Sequence, residues 1–100
     1  MKLLLVCYAG MSTSMMAEKL EAEGMRRGLD LTVQAVPMAN LESYLDDVDI
    51  VLLGPQVRFA EDDVKKAVDG KCPLEVMSPQ DFGMMNASHV IDQIEKALGM

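Results

Sequence analysis

Residues 3–14 read Leu3-Leu4-Leu5-Val6-Cys7-Tyr8-Ala9-Gly10-Met11-Ser12-Thr13-Ser14. An unbroken apolar run that closes on a cysteine is a strand buried on both faces. The small, hydroxyl-rich stretch after it hands over to a helix, marked by Thr13, Met16, Ala17, Leu20 and Gly24 at i, i+3, i+4 spacing. Arg26 and Arg27 complement the dipole of its last turn, and Gly28 is placed to stop it. A second apolar run, Asp49-Ile50-Val51-Leu52-Leu53, ends at Gly54-Pro55 and reads as another central strand. Leu31-Thr32-Val33-Gln34-Ala35-Val36 alternates instead, as does the shorter Leu74-Glu75-Val76, and half-exposed edge strands look like this. Pro37 and Pro73 stand at the ends of those two segments, where a missing N–H harms no central ladder.

Helical patterns fill the intervals. Asn40 is expected to N-cap a short helix carrying Leu41, Tyr44 and Leu45, and Val64, Ala67 and Val68 mark another that closes near Gly70. A last helix follows Asn86, with Val90, Ile91, Ile94 and Leu98 on its sheet-facing side and Gly99 at its stop. Strands alternating with helices define an α/β protein joined by right-handed crossovers. The expectation is a three-layer fold: a four-stranded parallel sheet in the order 2-1-3-4, with helices on both faces. One domain, residues 1–100, accounts for the length, and it can bury roughly 60–70% of the surface of the unfolded chain.

Composition narrows the function. Sixteen acidic against nine basic residues leave a net charge of −7 without a block of like charges, which argues against nucleic acid or an anionic membrane as partner. The apolar stretch Leu3 to Cys7 is far short of the roughly 20 residues that span a bilayer, and with Lys2 alone ahead of it too short for a secretory segment. A cytoplasmic monomer with no membrane insertion is expected. The two cysteines, Cys7 and Cys72, form neither a disulfide framework nor a paired metal-ligand motif, so no metal and no cofactor is expected. Ten methionines against two Tyr, two Phe and no Trp suit a surface that adapts to a partner.

Cys7 is where chemistry is expected. In a parallel sheet, ligands bind beyond the carboxyl ends of the strands at the point where strand order reverses, and Cys7 ends the first strand. Backbone N–H groups of the following loop and the positive end of a helix dipole would converge on its sulfur. Such a setting favours the thiolate, the nucleophilic form. A phosphoryl group carried there would meet the same donors, with the Ser12, Thr13 and Ser14 hydroxyls in reach and Gly10 letting the loop curl. A buried cysteine at a strand end is often inert, but hydroxyl residues clustered after it have no packing reason to be there. Ser12 or Ser14 is also expected to N-cap the helix. Low-molecular-weight tyrosine phosphatases have a loop of this kind, with an arginine six residues after the cysteine; here that position is Thr13. Without a guanidinium, hydrolysis loses its strongest stabiliser, so a site that forms a phosphocysteine and keeps it fits better. A divergent phosphatase or arsenate reductase-like hydrolase is the alternative.

Three separated motifs sharpen this: Leu5 to Ser14, Val51-Leu52-Leu53-Gly54-Pro55-Gln56-Val57-Arg58, and Asp81-Phe82-Gly83-Met84-Met85-Asn86. Together, and over essentially the whole chain, they resemble enzyme IIB of the lactose/cellobiose (chitobiose) family of the bacterial sugar phosphotransferase system. That resemblance implies a relay in which a phosphohistidine of enzyme IIA donates to Cys7, and the phosphocysteine donates to a disaccharide held by the membrane subunit, enzyme IIC. It also implies a phosphate cradle formed by Tyr8, Ala9, Gly10, Met11, Ser12, Thr13 and Ser14. The turns after strands 3 and 4 should border the crevice and offer Gln56, Arg58, Ser78 and Asp81 as contacts for partners. Arg58 is placed either to steer an incoming phosphate or simply to be solvated. His89 is expected to serve in cap or surface packing, and Cys72, at the far end of the sheet, to be an inert thiol.

Overall fold

A computed structural model describes residues 1–7 and 11–100, residues 11–13 by their backbone alone. The strands are β1 (Lys2–Cys7), β2 (Thr32–Pro37), β3 (Ile50–Leu53) and β4 (Leu74–Val76), and the helices are α1 (Met11–Arg26), α2 (Glu61–Val68), α3 (Pro79–Gly83) and α4 (Ala87–Ala97). Two 3-10 helices, Met38–Tyr44 and Pro55–Ala60, follow β2 and β3. All strand pairs are parallel and the order is β2-β1-β3-β4, as the hydrophobic patterns predict.

The apolar run in β1 explains the layers. Successive side chains of a strand point to opposite faces, so a strand covered on both sides has apolar residues at every position. Leu3 and Leu5 join Met16, Leu20, Ile91 and Ile94 in one core, which lies under α1 and α4. Leu4 and Val6 join Leu41, Leu45, Val57 and Val64 in the other, under α2 and the 3-10 helices. Leu3, Leu4, Leu5 and Val6 are all fully buried, each worth roughly 1.5–3 kcal/mol relative to an exposed side chain. The edge strands β2 and β4 are only partly covered, which is why they alternate in sequence.

Three local expectations change. The helix after β2 is 3-10 and starts at Met38, capped by the extended Pro37 with no side-chain bond, so Asn40 lies inside it and caps nothing. Pro37 is paired with Cys7 at the end of the sheet, and the chain turns as soon as that pairing ends. The segments Gly54-Pro55-Gln56 and Ser78-Pro79-Gln80-Asp81 are helix starts instead of simple turns: Pro sits in the first turn of each, where its fixed φ suits a helix and its missing N–H is no loss. Finally, α1 begins at Met11, so Ser12 and Ser14 lie in its first turn and neither is its N-cap. The helix starts one residue ahead of the hydroxyl cluster.

Candidate functional site

The candidate site begins where β1 stops. Cys7 is 2% exposed and its Sγ donates to the Val36 carbonyl oxygen of β2 at 3.6 Å. On the other side the Gly54 N–H donates to the Val6 carbonyl oxygen at 2.9 Å, which extends the β1–β3 ladder past its last strand pair, Val6 with Leu53. Cys7 therefore ends the central strand between the exits of β2 and β3, with α1 beginning four residues later. This is the switch point, since β1 leads to β2 on one flank and β2 leads back across it to β3 on the other.

The candidate cradle is only partly in view. Tyr8, Ala9 and Gly10 lie outside the described residues, as do the side chains of Met11, Ser12 and Thr13; Ser14 and Met15 are exposed in the first turns of α1. Gln56 and Arg58 are exposed on the 3-10 helix that leaves β3, beside Phe59, which is 73% exposed. An aromatic ring so open was not singled out by sequence, because Arg58-Phe59-Ala60 has no periodic signal separating a buried ring from an exposed one.

Ser78 and Asp81 have a different setting. The Met77 N–H donates to the Leu53 carbonyl oxygen at 2.9 Å, so the β4 exit borders β3, and β3 stands between it and Cys7. Ser78 caps α3, its Oγ accepting the Asp81 N–H at 3.1 Å. Asp81 is the buried polar residue of the described chain at 7% exposure, and both its oxygens lie 2.8 Å from His89 Nδ1. That bond raises the imidazole pKa above its ordinary value of 6.5. The Asn86 side chain accepts the His89 backbone N–H at 3.2 Å, making Asn86 the cap of α4, while the His89 side chain lies at the surface and pairs with Asp81. The signal for the Asp81–His89 pair was absent from the sequence, since the two lie on different helices eight residues apart.

Cys72 precedes β4, at the opposite end of the parallel sheet from Cys7, and no disulfide joins the two. Burial, then the charge of Asp49, pushes its thiol pKa up, which disfavours the reactive form. Among the described residues no group of three His, Cys, Asp or Glu side chains is placed to hold a metal ion, and no helix is long and apolar enough to cross a membrane.

The likeness to known proteins spans the chain. Residues 2–93 match the family described as PTS system, lactose/cellobiose specific IIB subunit. The PTS system galactose-specific EIIB component of Lactococcus lactis subsp. cremoris is 35% identical, over 94% of this chain and 93% of that protein. The solution structure of the cellobiose-specific phosphotransferase IIB component from Borrelia burgdorferi superposes with a TM-score of 0.79 at 34% identity, covering 99% of this chain and 92% of that one. The lactose-specific IIB component domain from Streptococcus pneumoniae has a TM-score of 0.85 at 12% identity, over 97% and 96% of the two chains, and speaks for the fold alone. With Cys7 at the strand-order reversal and agreement in sequence from β1 to α4, the chain belongs to the lactose/cellobiose-specific IIB subunit family of the bacterial sugar phosphotransferase system, whose members work in phosphotransfer.

Proposed function

We infer that Cys7 is the phosphoryl carrier: it takes the group from a phosphohistidine of enzyme IIA and gives it to a sugar held by the membrane subunit, enzyme IIC. The observation that carries the reading is the position of Cys7, the last residue of a central strand at the strand-order reversal with a 16-residue helix starting just beyond it. In the first step the sulfur attacks phosphorus in line with the P–N bond. The S–P bond forms as the P–N bond breaks, the electron pair goes to the imidazole nitrogen, and the proton lost by the thiol is balanced by the one that nitrogen gains. In the second step a sugar hydroxyl oxygen attacks, the O–P bond replaces the S–P bond, and the hydroxyl proton is balanced by the one the thiolate regains.

A loose phosphoryl-transfer transition state asks mainly for positioning and charge stabilisation, which a loop of N–H donors and the start of α1 can supply. The reading extends to Tyr8 through Ser14 as the cradle, to Gln56 and Arg58 at its rim, and to the whole chain acting as one cytoplasmic domain and as a monomer. The sugar is a disaccharide of the cellobiose, chitobiose or lactose type. The membrane subunit that holds it sets the choice, and the relatives above carry different sugar names in line with this.

The test is to incubate the protein with phosphoenolpyruvate, the general phosphotransferase components and an enzyme IIA of the same family, then locate the added phosphate by peptide mass. One phosphate is expected on Cys7, lost in Cys7→Ser and kept in Cys72→Ser. Steady release of inorganic phosphate without a retained label would favour the hydrolase instead, and a label on His89 or on no residue would end the Cys7 reading.

A further inference from the structure

Gly54 is a glycine without a backbone reason to be one. Its φ of −66° and ψ of 153° are open to any residue. What its missing side chain leaves is space: a Cβ there would stand 2.7 Å from Gln56 Oε1 and 3.5 Å from the Val6 carbonyl oxygen. The Gln56 side chain thus folds back over the end of β3, toward the peptide that leads into Cys7, although the residue is exposed and free to extend into solvent. Holding a long side chain in one place costs rotamer entropy, roughly 1.5–2 kcal/mol for a glutamine fully ordered, and something should repay it. The carboxamide makes no hydrogen bond to another described residue, so a bound acceptor at this place can offset that cost. Its two N–H donors are open to a ligand, and a half-turn of the terminal torsion exchanges nitrogen and oxygen at this place beside Gly54 and the Val6 carbonyl.

We propose that the Gln56 carboxamide donates an N–H to the phosphoryl group while Cys7 receives and carries it, and that residue 54 lacks a side chain to leave that carboxamide its place. The inference rests on the Cys7 reading above and adds a residue to it. A neutral donor suits a carrier: it stabilises the charge on the phosphoryl oxygens while the site is spared the bidentate guanidinium that drives hydrolysis in phosphatase loops. Gln56 is then a catalytic residue and Gly54 a positioning residue acting through it.

Transfer of radiolabelled phosphate from phosphorylated enzyme IIA to Cys7 would be timed in wild type, Gln56→Ala, Gln56→Glu, Gly54→Ala and the Gly54→Ala/Gln56→Ala double variant. Loss of one donor is expected to slow transfer about tenfold in Gln56→Ala. Gln56→Glu, nearly the same shape but negatively charged, should be slower still, an order that a packing role at an exposed position does not produce. Gly54→Ala should match Gln56→Ala, and the double variant should be no slower than Gln56→Ala, since the glycine acts only through the glutamine. The fold should survive in all four, because the atom a new Cβ meets is the far end of a flexible side chain; unchanged melting curves check this. Wild-type rates in both Gln56 variants, or a Gly54→Ala effect undiminished when Gln56 is already alanine, overturn the inference and leave the Cys7 reading standing. A wild-type protein that takes no label on Cys7 overturns both.

Discussion

Gly28 shows how one residue closes an element. It takes φ +78° after α1, donates its N–H to the Met25 carbonyl oxygen at 3.0 Å, and lets the Leu29 N–H reach the Gly24 carbonyl oxygen at 2.8 Å. This is the paired bonding of a helix end that needs a left-handed residue. No atom lies within 4 Å of where its Cβ would be, so a side chain there pays in backbone conformation alone. Gly28→Ala is expected to lower the unfolding free energy by about 1–2 kcal/mol in urea titration. A loss too small to measure would mean that the helix end re-forms another way. At Cys7 and Cys72 the same scale separates two thiols of one chain by place: one ends a central strand at the strand-order reversal, the other sits before an edge strand, where burial disfavours its anion.

At the scale of elements, α4 is tied down at its start and along its length. Arg27, at the end of α1, reaches Asp92 at 2.8 Å, Glu95 at 2.7 Å and the Ser88 carbonyl oxygen at 2.9 Å, while Glu23 accepts its Nε at 2.7 Å. The hydrogen bonds from Arg26 and then Arg27 hold the Glu23 pKa down at about 2, so this arrangement persists across the neutral range. The bond between Asp81 in α3 and His89 in α4 is tied to the protonation of His89 instead. His89 gains its proton more readily in the folded chain than in the unfolded one, first through the hydrogen bond to Asp81 and then through its charge. Its contribution is therefore fully present below the unfolded histidine pKa, about 6.5, and is lost as pH rises through the higher folded value. Wild type should exceed His89→Gln in stability by a margin that shrinks above pH ~6.5, as read by urea unfolding at a series of pH values. A margin independent of pH would rule out the charged pair.

Across the whole molecule, stability rests on a sheet covered on both faces, with Leu5 fully buried near its centre under α1 and α4. Leu5→Ala is expected to cost about 2–5 kcal/mol by denaturant unfolding, a large part of the ~5–15 kcal/mol that holds a domain folded. A cost below ~1 kcal/mol would show that the core closes over the gap. The function proposed for this fold uses the parallel arrangement: β1, β3 and β4 end together, so Cys7, Gly54 and Met77 lie along one rim.

How much of this could be read from the chain alone follows from the range of the forces involved. Every strand of the sheet, its 2-1-3-4 order, the stop of α1 at Gly28 and the place of Cys7 at the end of β1 were legible because hydrophobic period, helix-ending residues and crossover handedness are local or topological rules. Asn40 misled because an N-cap residue type says nothing about where strand pairing releases the chain, and that is decided by Pro37 lying opposite Cys7. The Asp81–His89 bond, the Arg27 reach to α4 and the fold of Gln56 over Gly54 were left for tertiary structure to decide. Each is a contact between side chains whose backbones are brought together only by packing, and no spacing in the sequence encodes a rotamer.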